Sequence, residues 1–415
     1  MKRILFMALL LLTSPGWVAD KHMGVATCAS SVCHGSSTER SGANIYHSEY
    51  VIWGQRDPHA RAYETLLSDD SKRMAQKLGI GPAHEAPACL ACHSDYVPEA
   101  QRGPRFQLSD GVGCEACHGG SQRWLSSHTE KGATHEDNLR RGLNLLQHAD
   151  VRAAVCAGCH VGDSSRLASH DIMGAGHPRL QFELATYSRL WPSHHRDDDG
   201  YRQRKQSPDD MALWTAGQLR TARNLLDGLR GPQFMATPLW PELAFFDCHA
   251  CHTAMDADKW QPRAAGTLRP GAVRLNDSAL LMVAWLLDAT DPTRAARWRE
   301  ELAALHQASQ QGRGPIQQRS AALIRQLEQL HTAMDSNVAL RPDSRRLLAR
   351  IRADSLNASF NDYMTAEQVL MVTALLHQQQ GNDAALDGLY RSLANQHRFS
   401  AREFIRALKE YDGGR

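Results

Sequence analysis

Ten cysteines and twenty-one histidines hold most of the reactive chemistry in this 415-residue chain. The cysteines form five close pairs: Cys28 and Cys33, Cys89 and Cys92, Cys114 and Cys117, Cys156 and Cys159, and Cys248 and Cys251. A histidine follows the second member every time, at His34, His93, His118, His160 and His252. Four pairs therefore read C-x-x-C-H and the first reads C-x-x-x-x-C-H. Composition alone would supply roughly 0.01 copies of C-x-x-C-H, so coincidence is excluded. The spacing lets two thiols reach the two vinyl carbons of one porphyrin and become thioethers, while the adjacent imidazole turns under the iron as proximal ligand. The expectation is five covalently bound haem c groups, attached at the ten cysteines and ligated by the five following histidines.

Two other chemistries use paired cysteines. Five disulfides would suit an oxidising compartment, but a bridge across so short a loop removes little unfolded-state entropy and is redox-active rather than a staple. Zinc takes C-x-x-C as half of a four-ligand site, yet does not require a histidine directly after every second cysteine. The wider first motif makes a longer loop over the same ring edge.

The elements that must position these groups follow from the rest of the chain. Met1-Lys2-Arg3, an apolar run from Ile4 to Leu12, and Thr13-Ser14-Pro15-Gly16-Trp17-Val18-Ala19 have the basic, apolar and small-residue parts of a secretory leader. Residues 1–19 are read as that signal peptide, which makes the expected location the periplasm. No other segment approaches the ~18 unbroken apolar residues of a membrane span. With 42% hydrophobic and 22% charged residues the chain has the make-up of a soluble globular protein. A net charge of +2 and the lack of basic runs exclude a polybasic nucleic-acid binder. No Gly-rich phosphate loop with Lys, G-x-S-x-G or H-E-x-x-H occurs, so nucleotide chemistry, serine hydrolysis and zinc proteolysis have no support.

The motifs end at His252 and no cysteine follows, which predicts a haem-bearing part over residues 20–265 and a second part over 266–415. Five large apolar rings would supply much of the first core, so short helices and long loops are expected there and no sheet. Longer helices are predicted over 136–155 and 211–230, with a solvated loop over 192–210 between them. Beyond Gly266, Asp291-Pro292 reads as N-cap and N1, Pro315 opens a run, and Thr365-x-x-Gln368 and Ser400-x-x-Glu403 read as capping boxes. Leu323, Leu327 and Leu330 share one helical face. Six or seven antiparallel helices are expected, with His306, His331, His377 and His397 as surface or capping residues.

The chain also resembles exported multihaem cytochromes c of the cytochrome c-554-like family. The resemblance rests on Cys28-x4-Cys33-His34-Gly35, on Glu49-Tyr50-x-x-Trp53 leading to Asp57-Pro58-His59-Ala60, and on Gly111-Val112-Gly113-Cys114-Glu115-Ala116-Cys117-His118-Gly119. It continues through Trp124-x-x-x-His128 and His170-Asp171-Ile172-Met173-Gly174-Ala175-Gly176-His177-Pro178-Arg179-Leu180. It covers roughly residues 24–260; with the helix signals beyond Gly266, the expected fold is mainly α, a multihaem cytochrome c of short helices and long loops packed around five haems, followed by an all-α helical C-terminal domain. It also implies distal iron ligands at His59, His128 and His177, to which His170 and His84 are added as the fourth and fifth. His194 and His195 stand in reserve, while His47, His135, His148 and His249 are read as ordinary or propionate-contacting side chains.

The expected function is relay of electrons between redox partner proteins: a quinol-oxidising membrane system on one side, another cytochrome or a terminal reductase on the other. The alternative is a multihaem reductase of a small nitrogen or sulfur oxyanion, acting at one iron with an open position. All five motifs end in histidine, and none has the C-x-x-C-K form of pentahaem nitrite reductases, which favours the carrier. Ten propionates and five ferric cores would bring residues 20–265 to about −8, a field able to steer partners. The C-terminal part is read as a cap over the last haem or as an interaction module.

Overall fold

The computed structural model describes residues 20–40, 45–195, 198–205, 207–235, 241–252, 268–269, 271–335, 342–357, 360–378 and 386–411. The expected leader and the expected division at 265/266 lie outside the described residues. Among the described residues helix is the only extended regular structure, with isolated bridges joining His22 to Arg102 and Phe246 to Leu275.

Helices before residue 210 are short because breakers bound them closely. Pro87 opens Pro87–His93 at its first position, Gly113 and Gly119 bracket Cys114–His118, and Gly176 closes His170–Ala175. The single helix predicted over 136–155 is two helices, His135–Arg140 and Ala149–His160. Gly142 lies between them at φ 101° and turns the chain, which the apolar pattern does not reveal. The predicted loop over 192–210 holds the helix Asp199–Arg204, capped by the Asp198 carboxylate.

Among the described residues of 20–140 the apolar cluster is small: Leu66, Ala75, Ala83 and Leu90, with Tyr63, Cys89 and Leu108 against it. So few side chains do not offset the entropy of ordering that length. Polar ties do part of the work. Glu115, buried inside the third motif, accepts hydrogen bonds from the backbone N–H groups of Met23 (2.8 Å), Gly24 (2.7 Å) and Ser121 (2.7 Å). The first segment is thereby pinned across the motif, and Gly24, at φ 92°, has no room for a Cβ because it would meet the Arg105 carbonyl oxygen at 2.0 Å. Glu115→Ala strands two buried donors, at about 1–3 kcal/mol each, and one half-buried one, so the denaturation midpoint is expected to fall sharply. A loss under about 1 kcal/mol would show that the segment is held by something else.

From Asp210 onward apolar side chains take over. The 21-residue helix Asp210–Arg230 buries Trp214, Leu219, Leu226 and Leu229 and stops at Gly231-Pro232. It packs on Ala149–His160 and Leu184–Leu190 and also on Ser278–Thr290 and Arg313–Asp335. Seven helices lie beyond residue 268 among the described residues: Ser278–Thr290, Pro292–Ala308, Arg313–Asp335, Ser344–Leu356, Tyr363–Gln378, Asp387–Ser392 and Ala401–Glu410. Ser278–Thr290 is buried on nearly every side and forms the centre, as an all-round apolar helix must. Trp285 and Trp298 fill the layers around it, their indole N–H groups donating to Asp354 Oδ2 (2.8 Å) and the Leu280 carbonyl (2.9 Å).

Asp291 and Ser400 cap their helices as the sequence predicts. Thr365 does not: Asp362 accepts its N–H, so that helix begins at Tyr363. His306 and His377 are buried rather than exposed, His306 Nε2 lying 2.9 Å from Asp277 and His377 Nδ1 lying 2.8 Å from the Tyr411 hydroxyl. One apolar cluster runs from Ala153 to Tyr411, continuous on both sides of the expected division. No helix of the described residues is long and apolar enough to cross a membrane.

Candidate metal centres

Three motifs are helical. In Pro87–His93, Cys114–His118 and Ala149–His160 the i, i+3 cysteines share one face and the histidine ends the helix. The first motif is a set of turns after Val25–Thr27, as its two extra residues require, and the last begins as the 3₁₀ turn Cys248–Ala250.

Each motif histidine faces a second histidine. The ring centres of His34 and His128 are 6.3 Å apart and nearly parallel, with planes 10° apart. His93 faces His177 at 6.3 Å and 90°. His118 faces His194 at 6.2 Å and 78°. His160 faces His59 at 5.9 Å and 90°, and His252 faces His170 at 6.3 Å and 34°. A metal sits about 2.0–2.1 Å from an imidazole nitrogen, so two rings ligating one ion from opposite sides have centres about 6.3 Å apart. The five separations match that value. Among the described residues no three His, Cys, Asp or Glu converge as a metal site, which is the opposite of what zinc needs. Two opposed imidazoles are instead the axial set of a metal whose equatorial ligands come from a macrocycle. No two of the ten cysteines are joined as a disulfide. The residues present therefore fit haem c.

The outer nitrogens are held in the way ligation demands. His93 Nδ1 donates to the Ala62 carbonyl (2.9 Å), His177 Nδ1 to the Pro178 carbonyl (2.7 Å) and His128 Nδ1 to the Leu125 carbonyl (2.6 Å). A carbonyl only accepts, so Nδ1 carries the proton and Nε2 keeps its lone pair for the metal. Two rings are held by carboxylates: His34 by Glu49 Oε2 at 3.0 Å and His59 by Asp57 Oδ1 at 2.8 Å. Those hydrogen bonds raise both imidazoles above their ordinary range. Burial acts the other way on His118, lowered to about 3, and His160, lowered to about 4, leaving both neutral at pH 7. Neutral imidazole is the ligating form.

Four of the five histidines expected as second ligands, His59, His128, His170 and His177, lie opposite motif histidines. The fifth differs. His84 lies edge-on to Tyr63 at 6.2 Å and 3.6 Å from Glu85, and the place opposite His118 belongs to His194. A shared local signal marks His194: Trp191 packs edge-on against it at 5.0 Å, as Trp124 does against His128 at 5.5 Å. Trp-x-x-His echoes Trp-x-x-x-His. His249 bonds the Gln396 carbonyl at 3.0 Å and packs on Tyr363 and Phe399, tying the last motif to the helical part.

The motifs also adjoin one another. The thiol of Cys28 lies beside that of Cys114, and that of Cys92 beside that of Cys159. A cleft lined by both His160 and Cys248 joins the fourth motif to the fifth, and Arg179, Met364 and Glu367 line it too.

Residues 27–119, the stretch with the first three motifs, match the family described as cytochrome c554 and c-prime. That match, with the helical fold, supports a c-554-like cytochrome as the class, and with it haem c and electron transfer. Cytochrome c-554 of Nitrosomonas europaea is 31% identical over 93 residues, covering 20% of this chain and 38% of that protein. The chain thus spans well under half the length of this curated relative. No solved structure matches it.

Proposed function

We propose that the protein is an exported, periplasmic five-haem cytochrome c that passes electrons between redox partner proteins, in the carrier rather than the reductase role. The observation that carries this reading is the pairing of all five motif histidines with a second histidine at 5.9–6.3 Å. A haem bound at each pair supplies an iron that takes up and releases one electron. The chain's own residues do the rest. The cysteine pairs would hold each haem covalently, the paired imidazoles would ligate its iron, and the carbonyl and carboxylate partners stop the imidazoles from turning. Close approach of motifs one and three, and of motifs two, four and five, supports short electron-transfer steps within each group. A reductase of nitrite, hydroxylamine, nitric oxide or a sulfur oxyanion needs an open axial position, and pairing at every motif argues against one.

Protein matured in a competent host is expected to exceed its polypeptide mass by five haems. It should show low-spin ferric signals alone and, when reduced, bind no carbon monoxide. A shortfall in mass removes the five-haem reading, and a high-spin component restores the reductase.

A further inference from the structure

The five imidazole pairs differ in what holds them. His93, His177 and His128 give their Nδ1 protons to neutral carbonyls. His34 and His59 give theirs to Glu49 and Asp57. Both carboxylates are built in. Glu49 Oε1 accepts the N–H groups of Tyr46 (2.8 Å) and His47 (3.2 Å), which locks the carboxylate in place. Asp57 is 3% exposed; its Oδ1 also takes the His59 N–H (3.0 Å), and its Oδ2 takes the Trp191 indole N–H (2.7 Å).

Resting on the haem reading above, we infer that Glu49 and Asp57 are positioning residues that set the irons of the His34/His128 and His59/His160 pairs below that of the His93/His177 pair in reduction potential. An imidazole that shares its Nδ1 proton with a carboxylate gains imidazolate character and donates more strongly at Nε2. Stronger donation, with a fixed negative charge behind the ring, stabilises ferric over ferrous iron and makes one-electron reduction harder. Carbonyl acceptors pull on the proton less and add no net charge. Among these three pairs, electrons entering a partly reduced molecule therefore collect first at His93/His177, held by carbonyls on both sides. Trp191 extends the device: its N–H offsets part of the Asp57 charge while its ring packs on His194 of a neighbouring pair.

The test is a potentiometric titration of the matured protein followed by EPR and visible spectra, for the parent and for Glu49→Gln, Asp57→Asn and Trp191→Phe. Ring planes 10° apart at His34/His128 give that iron a rhombic low-spin signal, distinct from the strongly anisotropic signal of the pairs crossed at 90°. Glu49→Gln is expected to shift the rhombic species upward and leave the others in place. Asp57→Asn is expected to shift one crossed species upward, and Trp191→Phe, which frees the carboxylate charge, to shift it downward. Each carboxylate change should alter the reduced-to-oxidised ratio at fixed potential on the order of tenfold, about 59 mV for one electron. Unmoved potentials in proteins that keep five low-spin signals overturn this inference and leave the haem reading intact. If Asp57→Asn does not mature, an unchanged or upward shift in Trp191→Phe overturns the Asp57 assignment. A parent protein without five low-spin haems overturns the reading beneath it instead.

Discussion

Replacing His194 with alanine is expected to convert one of the five low-spin irons to high spin and to let the reduced protein bind carbon monoxide. Replacing His84 is expected to do neither. The contrast follows from position. His194 stands 6.2 Å from His118 with its ring steadied by Trp191 at 5.0 Å, so removing it opens one axial place and nothing nearby fills it without rebuilding that wall. His195, next in sequence, has its Nδ1 3.3 Å from the Ser193 hydroxyl and its ring tilted against Tyr201 at 5.3 Å. His84 has only Tyr63 and Glu85 as ring neighbours. Optical and EPR spectra of the two variants, taken with haem content by mass, read the outcome directly. An open iron in the His84 variant with none in the His194 variant would invert the pairing.

Removing residues 268–415 is expected to leave no soluble haem protein at all. The long helix Asp210–Arg230 is buried along its length, and one side of it is covered by Ser278–Thr290 and Arg313–Asp335. Truncation would bare Trp214, Leu219, Leu226 and Leu229 together, an apolar patch of the size that drives aggregation. It would also strand Arg179, whose guanidinium pairs with Glu367 at 2.9 Å, and leave Gln218 without Gln368 at 2.8 Å. A milder change makes the same point: Trp214→Ala is expected to cost about 3–5 kcal/mol by opening a cavity at the centre of the shared core. The readouts are soluble yield and haem spectrum for the truncation and a denaturation curve for the point variant. A soluble truncated protein with all its haem spectrum would mean that the helical part is a detachable docking module, not part of the fold that closes the last motifs.

How far the sequence reaches depends on the range of the interaction. Haem attachment is local: two thiols and an imidazole must meet one ring, so C-x-x-C-H states the chemistry within five residues. Helix caps are local too, and Asp291-Pro292 and Ser400 were legible because a side chain satisfies an N–H three residues away. Thr365 misled because Asp362, three residues earlier, accepts the Thr365 N–H, so the helix starts before Thr365 and leaves it inside the first turn. The break at Gly142 was illegible because helical and apolar patterns run through it on both sides.

Which second histidine each motif histidine meets is a different kind of fact. His34 meets His128 and His160 meets His59 across about a hundred residues, and no spacing rule links such partners. Resemblance placed three of them and nearness in sequence chose His84, whereas opposition across a shared centre selects His194. The carboxylates that hold His34 and His59 were in plain sight as Glu49 and Asp57, yet their role depends on where two rings come to lie. The cysteines and their neighbouring histidines were thus settled by covalent reach along the chain. Which imidazoles face one another, and which are backed by a charge, was settled only when the fold brought distant loops within 6–7 Å, a distance set by packing rather than by order in the sequence.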